Sequence, residues 1–202
     1  MLRDQIQSAV THVGTALRDP EEFAVRSDTE TVHYPWPVWL ALISTAILGT
    51  TTYGMTMGLL GGGRDVLARG IICTLAAGLA WGIPLPALYI LNSLSGSKLS
   101  AGSTLLAALV TTSWGGLAMI ASIPINWFFT VSIPHPGFVL LVNLTVFAGV
   151  GVAMMDVFHR TMRKLEPARS GAATWWLLLV GAIGTELFYS FGLFTFSTLK
   201  GA

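Results

Sequence analysis

Five apolar stretches decide what this chain can fold into, because each is at least as long as the roughly 20 residues a helix needs to cross hydrocarbon. They cover approximately residues 36–60, 66–94, 102–130, 136–158 and 174–196. In lipid a backbone cannot leave its amide groups unpaired, and a helix satisfies them within the segment. Composition supports lipid as the solvent: charged residues make up 10% of 202, against about 25% in an ordinary soluble domain. Mean hydropathy is +0.68. The expectation is an all-α, polytopic integral membrane bundle of about five transmembrane helices, covering residues 36–202.

Residues 1–35 have a different character. In LRDQIQSAVTHVGTAL the apolar Leu2, Ile6, Val10, Val13 and Leu17 recur at helical spacing. One apolar stripe on a polar helix predicts a short amphipathic N-terminal helix, lying on lipid or against the bundle's own end. Asp19-Pro20 ends it, and EEFAVRSDTETVHYP reads as a polar linker. MLRDQIQSAV lacks the continuous apolar run of a cleavable signal, so the first span is expected to be an uncleaved anchor.

With five crossings, Arg3, Arg18, Arg26, Lys98, Arg160, Arg163, Lys164 and Arg169 share one side, and Arg64, Arg69 and Lys200 the other. Eight basic residues against three predict a cytoplasmic N-terminus and an outer C-terminus; a bacterial chain would place this in the cytoplasmic membrane.

Several function classes lack their chemistry. A net charge of +1 without a basic stripe excludes nucleic acid as an expected partner. The single cysteine, Cys73, permits no internal disulfide and no cysteine-cluster metal site. His12, His33, His135 and His159 form no HExxH pattern, and there is no GxSxG elbow. GLLGGGRD lacks the GK[ST] ending of a phosphate loop and reads as a turn between spans. No metal, cofactor or catalytic set is expected, and the chain reads as a non-enzyme.

Other residues stand out inside the spans. Pro84 and Pro86 in span two and Pro124 in span three each remove an amide donor, predicting helix breaks or kinks. Gly54 with Gly58, Gly78 with Gly82, and Gly181 with Gly184 sit three or four apart, the spacing of close helix packing in lipid. Glu186, in GTELFYSFGLF, falls near the middle of span five. An acid at that depth costs roughly 2.5–3.5 kcal/mol on insertion scales, so it should be neutral and face other helices, within the bundle or across a subunit boundary. Glu186, Tyr189, Asn92, Asn126 and Asn143 form the candidate intramembrane polar site. It is open between a structural hydrogen-bonding role and proton or ion handling.

The stretch IPLPALYILNSLSGSKLSAGSTLLAALVTTSWGGLAMIASIPINWFF has a span ending in a short glycine-containing polar turn, followed by a span with a late proline. In this it resembles the core of the Yip-domain membrane proteins, the Rab-GTPase-interacting family and its bacterial relatives. The resemblance covers roughly residues 36–196 and implies a helical scaffold in membrane organisation, assembly or trafficking; it carries over no functional residues. The expected function is therefore a non-enzymatic scaffold or accessory subunit. Its partners would be the lipid bilayer and other membrane subunits or further copies. The alternative is a small proton- or ion-coupled transporter using Glu186 and the proline-broken helices.

Overall fold

The computed structural model describes residues 11–28, 34–94, 96–168 and 174–194. Leu2, Arg3, Ile6, Val10, His33, Arg169 and Lys200 lie outside the described residues, as does the expected end of span five at 196. Among the described residues the fold is all-helical. Helix α1 covers residues 11–18. It is followed by α2 (Pro20–Asp28), α3 (Trp36–Met57), α4 (Gly63–Gly82), α5 (Leu85–Leu94), α6 (Ala101–Ser132), α7 (Pro136–Leu165) and α8 (Thr174–Ser190). Four helical units are long and apolar enough to cross a membrane: α3, the α4–α5 pair, α6 and α7.

Local chemistry sets the boundaries. Pro35 and Pro37 open α3, and Pro136 opens α7, positions where a missing amide donor costs nothing. The α3–α4 turn is one 3-10 turn, Leu59–Gly61, followed by Gly62 at φ +88°, a conformation suited to glycine. Ser100 caps α6 by accepting from the Ser103 amide at 3.0 Å.

Three expectations change here. The stretch read as a polar linker contains helix α2: Asp19 Oδ1 accepts from the Glu22 amide at 3.1 Å, with Pro20 as the first helical residue. Asp19-Pro20 thus ends one helix by starting another. Pro124 does not break its helix, since α6 runs unbroken from Ala101 to Ser132. Pro84 does mark a break, between α4 and α5, and Pro86 sits in the first turn of α5. Finally, the helix of span five stops at Ser190. The Leu193 amide donates to Phe188 O at 3.0 Å and the Gly192 amide to Tyr189 O at 2.9 Å, with Gly192 at φ +70°. This is a Schellman cap. The FGL sequence, glycine followed by an apolar residue, is its signature. At 17 residues, α8 is at the short limit for a span.

Helix α6 is central. Half of its most apolar stretch is buried (50%), against 28%, 28% and 22% for the other three. It packs on α3 and α7; α3 in turn packs on α4, and α4 on α8. The five units form a C-shaped ring whose ends, α7 and α8, meet through aromatic rings. Phe147 contacts Phe188 and Phe194 at one end, and Phe158 contacts Trp176 at the other.

The N-terminal helices lie against the bundle, the packing option of the two in the sequence. Ala16, Phe23 and Ala24 are buried, and Phe23 stacks on Tyr34 with centroids 4.0 Å apart. Glu21 pairs with Arg160, and Glu22 with Lys164 at 3.2 Å, across to α7. The Asp156–Arg160 pair forms as an i,i+4 contact at 2.9 Å.

Candidate functional site

The five candidate polar residues do not form one site. Asn143 and Asn126 lie in the same layer of the bundle, joined through α3. The Tyr53 hydroxyl donates to Asn143 Oδ1 at 2.9 Å, and Asn143 Nδ2 donates to Val139 O at 2.8 Å. One turn on, Asn126 Nδ2 donates to Thr56 Oγ1 at 2.6 Å, and Thr56 Oγ1 donates to Tyr53 O at 2.6 Å. All four side chains project from three different helices into the region between α3, α6 and α7. Asn126 Oδ1 and Thr130 Oγ1, one turn apart on α6, are buried without a hydrogen-bond partner among the described residues. Asn92 is also buried, but at the far end of α5, where its carbonyl accepts from Ser97 N at 2.9 Å.

Glu186 does not face the other helices of this chain, contrary to the bundle-facing option. Burial on α8 falls on Trp176, Leu177, Val180, Gly184 and Phe188, and Glu186 points the opposite way. Its Oε1 accepts from Ser190 Oγ at 3.0 Å. Tyr189 is 56% exposed on the same outward side, with Leu178, Ala182 and Thr185.

The depth of Glu186 can be read from what α8 touches. Trp176 Nε1 donates to Pro84 O, Gly184 lies against Ala80, Phe188 joins Cys73 and Ala76, and Leu193 O accepts from Arg69 at 3.5 Å. Helix α8 therefore runs antiparallel to α4, with Glu186 level with the Ala76–Ala80 stretch. That stretch is the middle of the Gly63–Leu94 unit.

The glycines divide into two groups. Gly54 and Gly58 do make close approaches: a Cβ on Gly54 would stand 2.5 Å from Cys73 Cβ, and one on Gly58 2.6 Å from the Asp65 backbone. The closest crossing was not among the expected pairs. It is Gly49 of α3 on Gly116 of α6, where a Cβ on either would strike the facing backbone. Ser113 Oγ stitches the same crossing by donating to Leu42 O at 2.7 Å. By contrast, Gly78, Gly82 and Gly181 have no atom within 4 Å of an added Cβ, and Gly184 makes only ordinary contact at 3.4 Å. These four do not pack helices tightly. They wall an apolar cavity of about 720 Å³ inside the C-shaped ring, within the size range of small-molecule sites.

No group of three or more potential metal-ligating side chains stands together among the described residues. Comparison with protein-family models, curated proteins and solved structures gave no match. What fold and geometry define among the described residues is an all-helical bundle with four membrane-length apolar units, a buried three-helix polar layer, an outward acid level with the middle of the α4–α5 unit and a glycine-walled cavity.

Proposed function

We propose that the chain is a non-enzymatic integral membrane scaffold or accessory subunit, and that the outward face of α8 is where it joins its partner. The observation that carries this is Glu186, exposed at mid-depth on an apolar helix, with the Ser190 hydroxyl of its own next turn as its one hydrogen-bond partner among the described residues. Acids in that position are costly against acyl chains and cheap against another helix that supplies a hydrogen bond. The surrounding face suits such contact: Ala182 is small enough for close backbone approach and lies beside the exposed Leu178. The Yip-domain resemblance points the same way, toward membrane organisation, assembly or trafficking. In this reading the docked N-terminal helices and the basic end of α7 are cytoplasmic and the end of α8 faces outward.

The carrier reading has less geometric support. Glu186 does not line the cavity, and the carbonyl of Pro84 at the helix break already accepts from Trp176 Nε1 and from the Leu88 amide.

The test is mass in a mild detergent by light scattering. The wild-type protein should be larger than one 21.5 kDa chain. Glu186→Leu should release it to a monomer, and Glu186→Gln, which keeps a donor and an acceptor, should retain most of the assembly. A wild-type protein that is strictly monomeric and partner-free removes the proposal.

A further inference from the structure

The cavity borders the α8 face at Thr185 and Tyr189 and has a way in of its own. Helices α7 and α8 touch at two aromatic clusters, Phe147 with Phe188 at 4.7 Å and Phe158 with Trp176 at 5.1 Å between centroids. The clusters are eleven residues apart along α7, about 16 Å at 1.5 Å per residue. Between them the facing walls carry Ala148, Gly151 and Val152 on α7, and Gly181, Gly184 and Thr185 on α8. Neither Gly151 nor Gly181 has an atom within 4 Å of an added Cβ, so this seam is a gap, not a packed interface.

The walls behind it are mostly apolar. Thr50, Thr112 and Thr185 turn their hydroxyls onto their own helices, at Ala46, Leu109 and Gly181 carbonyls, and the Thr74 hydroxyl is taken up by Gly70 O and Thr51 Oγ1. Cavities of this character at bilayer depth are filled by hydrocarbon. With roughly 30 Å³ for a group the size of a water molecule or methylene, the volume holds one acyl chain.

A charge lies where the rest of that molecule would be. Val152, His159 and Arg163 recur at i, i+7 and i+11 along one edge of α7, beginning at the rim of the gap. Arg163 is exposed and has no ion pair among the described residues, whereas its neighbours Arg160 and Lys164 are engaged by Glu21 and Glu22. Eleven residues separate Arg163 from Val152, again about 16 Å, the span from a headgroup phosphate down into its acyl region.

We propose that the cavity holds one acyl chain of an anionic phospholipid, admitted between α7 and α8, with the headgroup phosphate at Arg163. The protein reconstituted in vesicles of phosphatidylglycerol and phosphatidylcholine, each carrying a diazirine near the chain end, tests this by photolabelling and peptide mapping. Label should reach the inner wall at Gly115 and Met119, with phosphatidylglycerol favoured about fivefold, the factor one basic group at a membrane surface supplies. Arg163→Gln should bring the two lipids to parity. Gly151→Leu combined with Gly181→Leu should abolish inner-wall labelling and leave the outward Leu48 of α3 labelled; Val152→Trp at the exposed rim does the same if the double variant fails to insert. Label confined to outward residues, equal inner-wall labelling by both lipids, or inner-wall labelling unaffected by closing the gap overturns the proposal.

Discussion

Trp176 Nε1 donates to the carbonyl of Pro84 at 2.9 Å, and the ring is fully buried against Phe158 and Trp81. One side chain thus both anchors α8 and occupies the backbone where α4 gives way to α5. Because Leu88 N also donates to Pro84 O, losing the indole leaves that carbonyl with a partner. Trp176→Phe should therefore cost only about 1 kcal/mol, and Trp176→Ala about 3–5 kcal/mol through lost packing. Chemical unfolding in detergent gives the totals. Hydrogen exchange across 176–190 should rise far more in the alanine variant.

The glycines predict opposite outcomes for one substitution. Gly116→Ala and Gly49→Ala drive a methyl into facing backbone, which cannot move aside as a flexible side chain would, and overpacking of this kind costs about 1–3 kcal/mol or more. Gly78→Ala adds a methyl to open space and improves helix propensity, so it should be neutral or slightly stabilising. Thermal unfolding of the three variants in one detergent compares them directly.

The Tyr53–Asn143 pair predicts non-additivity. Tyr53→Phe strands Asn143 Oδ1 in a buried setting, at about 0.6–1.7 kcal/mol for such bonds between membrane helices. Asn143→Leu strands the Tyr53 hydroxyl in the same way. The double variant removes both ends, so its cost should fall below the sum of the two. A double-mutant cycle measured by unfolding would show this as a favourable coupling.

The N-terminal helices should stay docked by packing more than by charge. Phe23 is 1% exposed, and Phe23→Ala should cost about 3–5 kcal/mol of docking, far more than a solvent-exposed ion pair contributes. The pairs still confer a pH dependence. The hydrogen bond from Lys164, followed by that from Arg26, holds the Glu22 carboxyl below its ordinary value of 4.5. Because the folded value is the lower one, this contribution is complete above about pH 4.5 and is lost as pH falls through the depressed folded value. Limited proteolysis after Arg18 and Arg26 should accelerate in that acidic window and at high salt. Lys164→Gln, which removes the largest cause of the lowered Glu22 value, should weaken this acid dependence.

Much of the architecture was legible because it rests on short-range rules. Proline pairs, the Ser100 cap and apolar run lengths are local, and the four long helical units follow them closely. The departures from run length have two sources: a second local signal, or a group from elsewhere in the chain. The Gly192 cap that halts α8 belongs to the first kind. The unbroken course of α6 through Pro124 belongs to the second, since a membrane helix continues through a proline where neighbouring groups satisfy the freed backbone.

Spacing in the chain could establish that glycines recur every three or four residues, that an acid lies deep in the last apolar stretch, and that the solvent is lipid. It could not say which glycines meet a backbone and which border a void, nor which way Glu186 turns. The reason is physical: both kinds of glycine have the same helical periodicity, and rotation of a helix about its axis is chosen by its neighbours. In lipid all faces of an apolar helix are nearly equivalent until another helix packs on one of them. Packing of α8 on α4 through Gly184 and Phe188 made that choice, turning Glu186 outward and leaving the cavity behind Gly181.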